Sequence, residues 1–112
     1  ATKSNQASVA KYIAAELQKC NLGEDKAMAN ELTCSGATGG TAVTAAVKAL
    51  ADFKNPYSTN DKAVVAGATI NRAKDVGFTK LEANGNVITI KTCFVTDCAK
   101  AENQIENKVA VE

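Results

Sequence analysis

The chain has 112 residues, enough for one domain with a modest core, and a formal net charge of +1. Because its acids and bases are scattered, it has no basic stripe that would indicate a nucleic-acid partner, and no run approaches the ~18 apolar residues that a membrane span needs. It contains no histidine, which excludes Ser-His-Asp and Cys-His catalysis.

The clearest helical pattern lies in residues 1–21. Its apolar positions recur at intervals of four, four and three, the spacing of one face of an α-helix, and they are Val9, Ile13, Leu17 and Cys20. Gly23 provides a stop, because glycine readily takes the left-handed conformation that closes a helix. Residues 1–3 carry neither a capping box nor a preceding apolar residue, so we expect the chain to begin inside a longer helix.

A second helix is predicted over residues 41–54. Thr41 can cap its start, and it ends before Pro56 because the residue that precedes a proline is pushed out of the α region. Its predicted apolar side consists of Val43, Ala46, Val47, Leu50 and Phe53. Two shorter segments flank this helix. Residues 25–32 are predicted as a short helix and residues 57–61 as a turn.

An antiparallel hairpin is the clearest strand signal. Asn84-Gly85 lies between two β-prone runs, residues 78–83 and 86–92, and this dipeptide favours the two-residue turn that joins antiparallel strands. Residues 108–112 alternate apolar and polar side chains, which predicts a third strand. Residues 62–72 suit either a short strand or an irregular segment.

The hairpin register determines the predicted core. With Ala83 opposite Asn86, Leu81 lies opposite Ile88 on one sheet face. This face is the only sizeable apolar sheet surface available to cover the first helix, which predicts an α+β fold with a long N-terminal helix packed on a three- to four-stranded antiparallel sheet. The predicted helix–sheet core is Val9, Ile13, Leu17, Leu81, Ile88, Ile90 and Phe94. The single domain 1–112 would comprise the helix at 1–21, a loop with the second helix at 22–61, and the sheet with a C-terminal loop at 62–112.

The four cysteines are interpreted as disulfide partners. Structural zinc sites usually bring their thiolates in close C-x₂₋₄-C pairs, and thirteen residues separate Cys20 from Cys34, so disulfides are favoured over zinc. Three connectivities are open, and loop size favours sequential pairing of Cys20 with Cys34 and Cys93 with Cys98. On the chain-entropy model the first bridge contributes roughly 3 kcal/mol.

No constellation in the chain predicts catalysis, a metal site or a cofactor site. Several acids are close in sequence, but each lies in a polar setting typical of solvated surface groups: Glu24 and Asp25, Asp97 and Glu102, and Glu102 and Glu106. Residues 36–41 are rich in glycine yet lack the Gly-Lys-Ser/Thr of a phosphate-binding loop, and a flexible connector is the favoured interpretation. Tyr12 borders the helical stripe and is either an edge of the core or a contact with a partner.

The order of these elements resembles the globular domain of a bacterial type IV pilin. The resemblance rests on the helix at residues 4–20, the turn Asn55-Pro56-Tyr57, the strand at residues 87–93 and the terminal loop from Cys93 to Cys98. One feature departs from the family. Its N-terminal aromatic residue, followed by about twenty apolar residues with a lone glutamate, is missing, and we expect that this segment has been removed.

The resemblance implies a structural subunit and no enzyme, catalytic residue, metal or cofactor. Identical subunits would pack through the missing half of the helix into an extracellular, cell-surface filament, with the precursor held in the inner membrane. The isolated domain would be monomeric, and adhesion, motility or DNA uptake would be downstream uses. The alternatives are a pseudopilin or minor pilin of a secretion system, and a small secreted binding module stapled by disulfides.

Overall fold

The computed structural model describes residues 2–67 and 75–111, which contain two α-helices and eight strands. The helices are α1 (Thr2–Asn21) and α2 (Gly39–Ala49), and a 3₁₀ turn covers Ala101–Asn103. The strands are β1 (Lys26–Ala27), β2 (Leu32–Thr33), β3 (Lys54–Asn55), β4 (Ser58–Lys62), β5 (Val64–Ala66), β6 (Thr79–Asn84), β7 (Val87–Cys93) and β8 (Gln104–Ala110). In this part of the chain, no helix combines the length and the hydropathy needed to cross a bilayer.

The main sheet has four strands in the order β5-β6-β7-β8, and it is mixed. The pairs β6–β7 and β7–β8 are antiparallel, whereas β5 runs parallel to β6, with Val64 opposite Thr79. The α+β class is therefore confirmed, but the prediction of a purely antiparallel sheet was wrong. A parallel neighbour needs a crossover of about a dozen residues, and the chain between Ala66 and Thr79 has that length. Of the segment left open at 62–72, residues 68–72 lie outside the described residues.

The hairpin β6–β7 forms as predicted but in a different register. Asn84 pairs with Val87 and Leu81 pairs with Ile90, so the turn consists of Gly85 and Asn86. Gly85 has φ 62, the left-handed conformation that favours glycine at the first turn position. The residue opposite Leu81 is Ile90 instead of Ile88, a shift of two residues along β7. Because side chains alternate with a period of two, the same side chains still point to the core.

The core lies between one face of the main sheet and a layer formed by both helices. Helix α1 packs on β7 and β8, and α2 packs on β5 and β6. The side chains that line the inside of α1 and the sheet are all buried: Val9, Ile13, Leu17, Leu81, Ile88 and Ile90. The residues predicted for the helix–sheet core are therefore buried together, with one exception.

That exception is Phe94, which is half-buried and lies outside the core cluster. Strand β7 ends at Cys93, and the chain then turns into the short loop closed by Cys98. The ring leaves the sheet face for this reason, and it lies 4.4 Å from Nζ of Lys3 at the start of α1.

Helix α2 begins and ends earlier than predicted. Its N-cap is Thr38, whose Oγ1 accepts a hydrogen bond from the N–H of Thr41 at 3.3 Å, while Thr41 Oγ1 accepts one from the N–H of Thr38 at 2.8 Å. Thr41 is therefore the third helical residue of a capping box rather than the cap. The helix closes at Leu50, and β3 and β4 form a small antiparallel ladder where a helix end and a turn were predicted.

Residues 25–32 do not form the predicted helix. They form the antiparallel pair β1–β2, joined through Met28, Ala29 and Asn30, which have φ values of 53°, 55° and 68°. Three successive left-handed residues are incompatible with a right-handed helix. The contact that holds them comes from α1, where Glu16 Oε1 accepts the N–H of Met28 at 2.6 Å.

Candidate interaction surface

The disulfides join the cysteines in sequential pairs. Cys20 bonds to Cys34 with a Cα–Cα distance of 5.2 Å, and Cys93 bonds to Cys98 with 5.6 Å, which confirms the pairing favoured from loop size. All four sulfurs are used in these bonds, so none is a thiolate available to a metal. Two disulfides indicate that the protein folds in an oxidising compartment.

The acids that are close in sequence lie at the surface. Glu24, Asp25 and Glu102 are exposed, as predicted for solvated groups. Asp97 is 3.5 Å from Nζ of Lys100, an exposed pair of the kind that contributes little to stability. Within the described residues, no three His, Cys, Asp or Glu side chains are grouped as metal ligands.

A groove at the start of α1 brings together several aromatic and apolar side chains. This N-terminal groove has a volume of about 430 Å³ and is lined by Thr2, Lys3, Pro56, Tyr57, Phe94 and Val95. In the described residues four large hydrophobic side chains are exposed, and two of them, Tyr57 at 51% and Val95 at 39%, are here. This clustering makes the groove a candidate site of protein contact.

Tyr57 is held rigidly on one wall of the groove. Its hydroxyl donates to the carbonyl oxygen of Phe94 at 2.9 Å, and its N–H donates to Oδ1 of Asn55 at 2.8 Å. Asn55 is itself buried, and its Nδ2 donates to the carbonyl oxygen of Val76 at 3.0 Å. Gly77 lies so close to the Asn55 side chain that a Cβ there would overlap with it, and its φ of 84° also favours glycine.

A second wall of the groove is the loop closed by Cys93 and Cys98, through Phe94 and Val95. The N–H of Phe94 donates to the carbonyl oxygen of Asn103 at 3.1 Å. The Asn103 side chain in turn donates to the carbonyl oxygens of Thr96 and Asp97 at 3.2 and 3.1 Å. Gln104 adds a hydrogen bond from its side chain to the carbonyl oxygen of Cys98. Both walls are thus fixed before any partner arrives, which lowers the entropic cost of binding.

The charge of the groove comes from Lys3. Its ammonium lies over the Phe94 ring at 4.4 Å, a cation–π contact that contributes about 0.5–1 kcal/mol at an exposed site. The described lining residues include no carboxylate and no thiol. The groove therefore offers aromatic faces, apolar walls and one positive charge, which suits the binding of an apolar side chain with acidic neighbours.

The resemblance had singled out the Asn55-Pro56-Tyr57 turn and the Cys93–Cys98 loop separately, and the structure brings the two together. Sequence reasoning missed their meeting because 37 positions separate Tyr57 from the carbonyl group of Phe94 that it binds. It also assigned Phe94 to the core. The sequence did contain one signal that Phe94 leaves the sheet face, namely its position directly beside Cys93, a cysteine of a short disulfide loop.

Tyr12 belongs to the edge of the core. It is half-buried and packs against the core cluster. Burial raises the pKa of its hydroxyl, and the nearby Glu16 carboxylate adds to that increase.

Comparisons of the chain with protein families, with characterised proteins and with solved structures gave no match.

Proposed function

We propose that this chain is the globular domain of a type IV pilin-like subunit, whose function is to polymerise into an extracellular filament. The supporting observation is the packing of α1 on the sheet: Val9, Ile13 and Leu17 are buried against the sheet along a helix of 20 residues. A helix fixed in this way can transmit a pull from an attached segment to the whole domain. The parallel strand β5 departs from the arrangement expected for the family.

In this proposal the partners are identical subunits, joined through an apolar helical segment that precedes Thr2 in the gene product. That segment holds the precursor in the inner membrane before assembly. Both disulfides suit a surface that is exposed to an oxidising exterior. The role is structural rather than catalytic, and adhesion, motility or DNA uptake are possible uses of the finished filament.

The first test is the gene sequence upstream of Ala1. We expect a short basic leader followed by an apolar stretch of ~20 residues. The second test is electron microscopy of cells that express the intact gene, with antibodies raised against this domain. Labelling along the whole filament supports a major subunit, and labelling only at tips supports a minor pilin. A cleavable signal peptide upstream, or filaments that carry no label, would contradict the proposal.

A second candidate is a small secreted binding module, and the rigid N-terminal groove favours it. Tyr57 and the Cys93–Cys98 loop form a prepared aromatic surface that does not depend on polymerisation. The upstream gene sequence separates the two candidates, because a secreted module needs only a cleavable signal peptide. Its product would be found free in the medium and not in a filament fraction.

A further inference from the structure

We propose that the N-terminal groove binds residues 22–25 of a second copy of this chain, so that neighbouring copies join head to tail. This inference rests on the proposed filament function and names the surfaces that meet. Residues 22–25, here called the Leu22 tip, follow α1 and comprise Leu22, Gly23, Glu24 and Asp25. The Leu22 side chain would enter the groove between Tyr57 and Val95.

The Leu22 tip presents an apolar side chain on a backbone that hydrogen bonds hold in place. Leu22 is 75% exposed, the most exposed large hydrophobic side chain in the described part of the chain. Its N–H donates to the carbonyl oxygen of Gln18 at 3.0 Å, and the N–H of Glu24 donates to that of Lys19 at 3.1 Å. The bond from Cys20 to Cys34 fixes the end of the helix directly before the tip.

The tip and the groove lie at opposite ends of the molecule. Helix α1 has 20 residues, which corresponds to about 30 Å at 1.5 Å per residue, and the longest dimension of the molecule is 42 Å. Thr2 and Lys3 line the groove at one end of α1, and Leu22 follows its other end. The tip cannot reach the groove of its own chain, so the two can meet only between copies.

Charge favours the same pairing. Glu24 and Asp25 are exposed beside Leu22, and the groove carries the ammonium of Lys3 but no carboxylate among its described lining residues. Lys19, the basic residue in the last turn of α1, already has a carboxylate partner in Glu16 at 2.8 Å, and Glu24 is a weaker influence on its ammonium. An apolar side chain flanked by acids thus meets an apolar groove flanked by a base.

The contact joins two different surfaces, so it is heterologous. After two copies pair, one of them keeps a free groove and the other keeps a free tip, so further copies can add at both ends. Contacts of this kind do not close into a two-fold dimer, and they generate rings or open filaments.

The test is site-specific crosslinking in cells that express the intact gene. Val95 is replaced by the photocrosslinking residue p-benzoylphenylalanine, and the matched control carries the same replacement at Val87, which is exposed to nearly the same extent at 38% but does not line the groove. Filaments are first scored by electron microscopy, and crosslinked peptides are then mapped by mass spectrometry. We expect position 95, but not position 87, to crosslink to residues 22–25 of another copy.

Filaments whose position 95 crosslinks elsewhere, or not at all, would overturn the contact and leave the filament function standing. Absence of filaments in cells that express the unsubstituted gene would overturn both, so the two failures are distinguishable. A charge exchange adds a second readout. Lys3→Glu should remove most of the crosslink, and Lys3→Glu combined with Glu24→Lys should restore it. Failure of the restoration would show that Lys3 acts only by supporting Phe94, and it would contradict the proposed pairing.

Discussion

Two β-hairpins of this molecule, β6–β7 and β1–β2, are stabilised in different ways. Hairpin β6–β7 pairs six residues of each strand and turns at Gly85, which accepts the left-handed conformation at low cost. Hairpin β1–β2 pairs only two residues of each strand, and it turns through three successive left-handed residues that are not glycine. The first hairpin is specified by its own sequence, whereas the second depends on the rest of the molecule.

Contacts with α1 supply what β1–β2 lacks. Met28 is fully buried in the core, and its N–H donates to Glu16 Oε1 at 2.6 Å. The disulfide from Cys34 to Cys20 ties the end of β2 to the end of the helix. Each non-glycine residue in the left-handed conformation costs about 1–2 kcal/mol, so the turn forms only because these contacts outweigh that cost.

The largest effect is expected from Met28→Ala. Truncation of a buried methionine lowers the free energy of unfolding by about 2–5 kcal/mol, because it removes apolar contacts and leaves a cavity. Urea denaturation measures the loss, and hydrogen exchange should show that β1–β2 loses protection before β6–β7. The volume-conserving control Met28→Leu should cost less than about 1.5 kcal/mol. Equal losses for the two variants would mean that packing at this position does not hold the hairpin.

The next largest loss of stability is expected when the disulfide at the same hairpin is removed. Cys20→Ala combined with Cys34→Ala opens a bridge with a sequence separation of 14, and the chain-entropy relation gives a loss of roughly 3 kcal/mol. We expect faster hydrogen exchange in β1–β2 as well. The matched variant, Cys93→Ala with Cys98→Ala, should leave exchange in β1–β2 unchanged and loosen the C-terminal loop. Unchanged exchange in β1–β2 for the first variant would contradict this assignment.

The same contrast explains which parts of the fold the sequence could predict. Helix α1 and hairpin β6–β7 follow from periodicity and from the turn-favouring dipeptide Asn84-Gly85, because the residues that determine them are neighbours in the chain. Even the error in register left Leu81 and Ile88 on the correct face, since side chains alternate with a period of two. These local signals were sufficient for the α+β class and for most of the core.

The features that were missed depend on distant residues. Nothing between residues 25 and 32 indicates that the N–H of Met28 will bind a carboxylate twelve positions earlier. No pattern within either strand indicates the parallel pairing of Val64 with Thr79. In the groove, Tyr57 and Phe94 meet because a buried Asn55 and a disulfide orient them. Loop size predicted the disulfide, but the hydrogen bond from Asn55 to Val76 has no sequence pattern of its own.

Glu16 allows the long-range support to be removed without changing the hairpin itself. Glu16→Ala leaves the N–H of the buried Met28 without its acceptor, and the loss is about 1–3 kcal/mol. Glu16→Gln retains an acceptor oxygen and should cost less. Urea denaturation of both variants at neutral pH measures the difference. If the alanine and glutamine variants lost the same amount, the hydrogen bond to Met28 would not be the stabilising contact.

The pH dependence of stability provides an independent check on Glu16. Burial alone would raise the pKa of this carboxyl, but hydrogen bonds from Lys19 and from the Met28 N–H outweigh it and lower the pKa below the ordinary value of 4.5. A carboxyl with a lowered pKa in the folded state stabilises the fold above its unfolded pKa, and this contribution is lost as the pH falls through the folded value. The wild-type chain should therefore lose more stability below pH 4.5 than Glu16→Gln does.

The smallest effects are expected from two substitutions that exchange alanine and glycine between the two turns. They compare the turns most directly. Ala29 is exposed with φ 55, so Ala29→Gly removes backbone strain without loss of packing, and it should raise the free energy of unfolding by up to about 1 kcal/mol. Gly85 has φ 62 and no atom within 4 Å of an added Cβ, so Gly85→Ala introduces the same strain without a clash. This substitution should lower the free energy of unfolding by about 1 kcal/mol. Urea midpoints of the two variants should move in opposite directions. If both fell, the left-handed turn at Ala29 would not be strained, and the long-range contacts of β1–β2 would have no cost to outweigh.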